Sequence, residues 1–192
     1  MADSHLFTIN LVTPERVLVS GLASEVLLRT GNGDATFLAG HTPLVGTVEP
    51  GVVRVVQAEG DELRVATHGG FVQVELGVRA DGDDDAELPS SRVTLLIGVA
   101  ELADEIDVDR ARVALDAAEA RLSELASAGR TTSGAGAQAP GEPVEVDVDV
   151  LEAQAELRRA QVRLETVDAA QATVASGASS ASSAPSSPGA GA

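Results

Sequence analysis

Between Leu6 and about Val99, short runs of β-branched and aliphatic residues alternate with polar positions and are broken by Gly, Pro, Asn and Asp every 8 to 12 residues or so. This period-two pattern predicts a sandwich or barrel. Leu63, Val65 and Thr67 form one alternating face, and Val72, Val74 and Leu76 form another. The turn signals are Thr30-Gly31-Asn32-Gly33-Asp34, Glu59-Gly60-Asp61 and His68-Gly69-Gly70, each with Gly able to take positive φ. All three read as hairpin connections, so an antiparallel sheet is expected. Gly40-His41-Thr42-Pro43-Leu44-Val45 reads as a rigid turn feeding a strand, because Pro fixes its own φ and restrains the residue before it. Val93-Thr94-Leu95-Leu96-Ile97 is the last strand.

After Ile106 the period changes. Val108, Ala111, Leu115, Ala118, Leu122 and Leu125 advance in steps of three and four, and so do Val150, Ala153, Leu157, Ala160, Leu164 and Val167. Both stripes mix Ala with larger residues, which predicts two helices packed closely as an antiparallel hairpin. Helices of this length are marginal alone, so they must dock on each other, on the sandwich or on a partner. The architecture expected is mainly β plus α: an N-terminal antiparallel β-sandwich over 1–100, a two-helix hairpin over 101–170 and a disordered tail over 171–192. A flexible, Gly-rich loop is expected at about 129–147, and the uncharged tail is rich in Ala, Ser, Gly and Pro.

Composition narrows the function. Thirteen Arg, no Lys and thirty acidic residues give a net charge of −17, which argues against nucleic acid as a partner. Aromatic residues are 2% of the chain, all Phe, so stacking platforms for bases or sugars are not expected. The absence of Cys removes disulfides and thiolate chemistry and fits a reducing compartment. Met1-Ala2-Asp3-Ser4-His5 lacks the features of a secretory signal, and no apolar run has the roughly 20 residues of a membrane span. Direct membrane insertion is not expected.

The motifs of common enzymes are missing. The histidines at 5, 41 and 68 lack metal-ligand spacing, and no nucleophile elbow, phosphate-binding loop or HExxH segment occurs. The acidic run Asp81-Gly82-Asp83-Asp84-Asp85 lacks the spaced ligands of an EF-hand and reads as a solvated loop rather than a metal site. Two groups on the helices remain. Arg159 and Arg163 stand i, i+4 on the second helix, where like charges repel unless an anion lies between them. The simpler account is that Glu156 partly neutralises Arg159 and that both cations are solvated. Asp107 and Arg110 on the first helix likewise form a possible i, i+3 pair. Across a hairpin these groups would converge beside Glu101, placing cations for phosphates and carboxylates for an amine or ribose.

With these residues in hand, the sequence resembles the epsilon subunit of bacterial F-type ATP synthase over nearly its whole length to about residue 168. Leu11-Val12-Thr13-Pro14-Glu15, Gly40-His41-Thr42-Pro43-Leu44, Gly51-Val52-Val53-Arg54, Gly69-Gly70-Phe71-Val72-Gln73-Val74 and the segment 101–111 occur in the family's order. The resemblance implies a non-catalytic central-stalk subunit. Its sandwich would bind the gamma subunit and the c-subunit rotor ring, peripherally at the cytoplasmic face of the cell membrane. Its hairpin would fold onto the sandwich or extend toward the catalytic alpha and beta subunits and inhibit ATP hydrolysis. No cofactor is required, but a regulatory ATP is implied. The Ile/Leu-Asp-x-x-Arg-Ala motif of ATP-binding relatives stands here as Ile106, Asp107, Arg110 and Ala111. An upstream acid aligns with Glu101, and two second-helix arginines align with Arg159 and Arg163.

The chain departs from the family pattern at Ala117, where some ATP-binding relatives have a further Arg, and this lowers the expected affinity. It departs also in the long inter-helix loop and the inserted acidic loop. A free-standing sandwich adaptor with a coiled-coil arm for an unrelated partner is the alternative. A small hydrolase using Glu101, Asp107 and a His lacks any motif.

Overall fold

The computed structural model describes residues 5–76, 91–130 and 147–180, the last seven by backbone alone. The acidic run 81–85, most of the inter-helix connection and the tail from 181 lie outside the described residues. Nine strands come first: β1 (Phe7–Val12), β2 (Val17–Thr30), β3 (Gly33–Leu38), β4 (Leu44–Val48), β5 (Gly51–Gln57), β6 (Glu62–Thr67), β7 (Gly70–Leu76), β8 (Ser91–Ile97) and β9 (Ala100–Leu102). A 3₁₀ turn (Ala103–Glu105) leads to α1 (Val108–Ser127) and α2 (Val148–Ser180).

The strands run in the order β1-β8-β7-β4-β2-β5-β6-β9, with β3 beside β2. Because β1 also pairs with β2, the sheet closes on itself. The 14-residue β2 makes this possible, pairing with β1 through its first half and with β3 and β5 through its second. A register shift between Ala23 and Glu25 bends it between the two layers. Described pairings are antiparallel except β1 with β8, which is parallel. Alternation does the sorting: Phe7, Ile9 and Leu11 of β1, Val53 and Val55 of β5, Val72 and Val74 of β7, and Val93, Leu95 and Ile97 of β8 all point into one aliphatic core. Leu76, expected on the inner face, is 53% exposed at the end of β7.

Two of the three predicted hairpins form, β2–β3 and β5–β6. The third does not. His68-Gly69 carries the chain from β6 across to β7, which pairs with β4 and β8 instead. Gly69 takes φ +97°, and a Cβ on Gly70 would lie 2.2 Å from the Leu96 carbonyl oxygen. These glycines serve a close crossing between layers rather than a tight reverse turn. Gly70→Ala should therefore destabilise the sandwich by about 3 kcal/mol, since backbone cannot yield as a side chain does. Thermal unfolding of the full chain checks this, and an unchanged Tm would remove the crossing as the reason for Gly70.

Both helical stripes fall where the periodicity places them, and α1 packs along α2. Asp107 caps α1, its Oδ1 accepting from the Arg110 backbone N–H at 2.9 Å. At the other end Gly129, with φ +74°, and Arg130 donate back to the Ala126 and Leu125 carbonyls at 3.0 and 2.9 Å, closing the helix. The Arg130 guanidinium then reaches Asp147 at 2.6 and 2.7 Å and Asp149 at 2.5 Å. Asp147 in turn accepts the Asp149 and Val150 N–H groups at the start of α2. One arginine thus fastens the two ends that the long connection joins.

The helix also continues past the expected boundary at 170, to Ser180. Residues 169–176 are rich in Ala, the strongest helix former, and the period-independent propensity extends α2 where a structureless tail was expected.

Candidate functional site

The hairpin lies on the sandwich, and α2 makes the contact with β5, β6 and the 3₁₀ turn. Besides the stripe facing α1, α2 buries a second face, on which Val162 and Thr166 are fully enclosed. Val162 packs with Ala66, Ile106, Val108 and Val167 in a small apolar cluster. Thr166 satisfies its hydroxyl on the Val162 carbonyl at 2.7 Å, the backward bond that lets a Thr sit buried within a helix. Burial of Ala66 explains why β6 loses strict alternation, since α2 covers its outer face. Polar contacts extend the seam: Arg158 donates to the Pro50 carbonyl at 3.0 Å, and Arg64 to Thr173 at 2.9 Å.

Glu101 stands at the centre. As the middle residue of β9, opposite Ala66, it receives Arg163 in a two-pronged ion pair at 2.7 and 2.6 Å. The hydrogen bonds from Arg163 hold the Glu101 carboxyl below its usual range, against the opposing effect of burial, and raise Arg163 in return. The pair's contribution is therefore complete above the ordinary glutamate pKa and fades only as pH falls through the lowered one.

Beside this pair opens a cavity of about 380 Å³ lined by Glu101, Glu105, Asp107, Arg110, Ala111, Ala114 and Arg163. Five of the seven residues singled out from the sequence thus meet around one space. The other two do not line it. Ile106 turns into the apolar cluster and anchors the start of α1 there. Arg159 is exposed on α2, near enough to act on the His68 ring but outside the cavity wall. Asp107 uses its carboxylate on the Arg110 backbone N–H, so the pair expected between their side chains is instead a helix cap. Glu156 does not neutralise Arg159; it pairs across the hairpin with Arg121 at 3.3 Å, as does Glu152 at 3.2 Å. Ala117 is exposed, next to the buried Ala118 that faces α2.

Sequence reasoning gave no contact at this site to His68, Glu105 or Arg158. Glu105 bonds Arg16 in the β1–β2 turn, tying the 3₁₀ turn to the sandwich. For Arg158 a signal existed: Arg158, Val162, Thr166 and Thr173, at steps of four, four and seven, trace a second stripe on the face of α2 opposite the heptad one. His68 carried none, because its neighbours come from β9 and α2.

Comparison with known proteins agrees with this architecture. Residues 6–78 match the family described as ATP synthase, Delta/Epsilon chain, beta-sandwich domain, and residues 104–168 its long alpha-helix domain. The ATP synthase epsilon chain of Thermobifida fusca is 44% identical over 121 residues, covering 62% of this chain and 79% of the relative. That of Streptomyces griseus is 40% identical over 111 residues, covering 58% and 78%. That of Brevibacillus brevis is 40% identical over 118 residues, covering 61% and 78%. A chain in the cryo-EM structure of the Euglena gracilis mitochondrial ATP synthase shares the fold, with TM-score 0.56, 20% identity and coverage of 86% of this chain and 81% of that one. With both domains matched in order and relatives of this identity covered over most of their length, the chain belongs to the ATP synthase epsilon-chain family.

Proposed function

We propose that the chain is a non-catalytic central-stalk subunit of an F-type, proton-translocating ATP synthase, held peripherally at the cytoplasmic face of the membrane. In this reading the sandwich couples the c-subunit ring to the gamma subunit during ATP synthesis. The hairpin regulates hydrolysis by moving between the docked arrangement and one extended toward the alpha and beta subunits.

The observation that carries the reading is the seam. A small apolar cluster, the Glu101–Arg163 pair and a few further polar contacts hold the hairpin, not a core continuous with that of the sandwich. Such a contact can be made and released at a cost far below that of unfolding. Support for a protein partner comes from the far side of the sheet, where Val45, Phe71 and Leu96 of the adjacent β4, β7 and β8 are 74%, 56% and 49% exposed on one face. No described helix is long and apolar enough to cross a membrane.

ATP would act by binding the docked form more tightly than the extended one. Arg110 and Arg163, joined by Arg159 turning inward, would take the phosphates, and Glu101 and Asp107 the amine or ribose hydroxyls. Arg163 would exchange Glu101 for phosphate, and three carboxylates around the cavity favour a weak site.

Co-purification from membranes tests the reading: tagged full-length chain is expected to recover gamma and ring subunits. Their absence would favour a free-standing adaptor. Truncation after Glu105 is expected to raise the ATPase rate of the complex modestly, because Arg158, Arg159 and Arg163 are the basic groups α2 offers among its described residues. Equal rates with and without the hairpin would sink an inhibitory role.

A further inference from the structure

His68 follows the last residue of β6, at the point where the chain crosses between layers, and its backbone N–H donates to the Val99 carbonyl at 3.1 Å. Both ring nitrogens are shut off from solvent, and neither has a hydrogen-bond partner. A neutral imidazole tolerates that position poorly and an imidazolium much worse, since a buried charge needs a partner. The charges facing the ring come from two elements: Arg163 and Arg159 of α2, and Glu101 of β9. Arg110 of α1 acts on Glu101. Both carboxylate oxygens of Glu101 already engage Arg163. Among the described residues the anion that acts on the ring, Glu101, is thus committed to a cation on the moving helix.

We propose that His68 is a proton-operated release for the hairpin: protonation sets a third positive charge in the seam beside Arg163 and Arg159 and shifts the chain toward the undocked state. The inference rests on the reading of the hairpin as mobile. Its direction follows from the seam itself. Burial first, and then Arg163, hold the docked imidazole down to about pKa 4, against an ordinary value of 6.5. A group whose pKa is lowered by docking binds its proton more readily when undocked, so the docked state is fully favoured above pH 6.5 and loses ground as pH falls toward 4. A ring restored to 6.5 on undocking would raise the undocked-to-docked ratio about 30-fold between pH 7.5 and pH 5. Acidification would act at the same seam as ATP and in the opposite sense.

The test uses the full-length chain, which has no Cys of its own. Fluorophores at Glu59→Cys, in the exposed β5–β6 turn, and at Gln161→Cys, exposed on α2, report docking by energy transfer. Transfer is expected to fall between pH 7.5 and pH 5 in this protein and to stay high in His68→Gln, which keeps a polar side chain without the titration. A His68→Gln chain that opens on the same pH curve would overturn the proposal, because other acids would then be responsible. Adding Arg163→Ala at pH 7.5 separates the two readings. Opening of that variant supports a releasable seam, whereas a hairpin that stays docked in it and throughout the titration overturns mobility and the switch together. Imidazole NMR of His68 gives an independent readout, expected to show a midpoint well below 6.5.

Discussion

Val162→Asp is expected to detach the hairpin while leaving the sandwich folded. Val162 is fully enclosed among Ala66, Ile106, Val108 and Val167, and no cation lies within the cluster to receive a carboxylate there. Burying an unpaired charge costs several kcal/mol, and the lost Val adds about 1.5 to 3. An opposing change of about 4 kcal/mol moves the docking equilibrium roughly 1,000-fold, enough to reverse it if docking is of ordinary strength. The sandwich core shares none of these residues, so its thermal transition should move little. Limited proteolysis of α2, expected to accelerate sharply, and an unchanged far-UV signal for the strands together check the prediction. Equal cleavage rates would mean that the seam is held by its polar contacts and not by this cluster.

The second large effect concerns ATP. Arg159→Ala with Arg163→Ala is expected to abolish any binding measured by calorimetry, with a loss of at least about 100-fold, since each charge-assisted contact to phosphate is worth about 1.5 to 3 kcal/mol. Because Arg163 also holds Glu101, the double variant alone would mix ligand contact with docking. Arg159→Ala resolves this. Arg159 is exposed and makes no ion pair among the described residues, so its removal should weaken ATP binding without opening the seam. Binding unchanged by both variants would remove these arginines from the site.

How much of this was legible beforehand depends on whether a residue's neighbours are local. The two helical stripes and the β2–β3 and β5–β6 turns come from interactions within a few residues, and they stand where period and glycine place them. The crossing at His68-Gly69-Gly70 carries the same glycine signal as a hairpin, because Gly marks close backbone approach as well as tight turns. Only knowledge of which strands pair tells the two apart. The same limit hid the partner of Glu156: Arg159 is three residues away, yet Arg121 on the other helix claims it. Glu101 and Arg163 had been set in one site by family resemblance, and they do meet. That they bond each other directly, with His68 sealed beside them, is a property of the closed seam that neither segment displays alone. The second buried stripe on α2 was obscured because three of its four residues, Arg158, Thr166 and Thr173, are polar, so the apolar period registers only the heptad face opposite it.

The Arg130 fork has a consequence for how such chains can diverge. The helix ends are set against each other by one guanidinium, two carboxylates and a capped N-terminus. Together with the packing of α1 along α2, this ties the two helix ends to each other on either side of residues 131–146. Lengthening a connection whose ends are already fastened costs little, because closure entropy grows only with the logarithm of length. Evolution is then free to add or delete residues there without disturbing the geometry around Glu101, and a peptide tag or fluorescent domain inserted near residue 138 would ride on the hairpin without shifting its register.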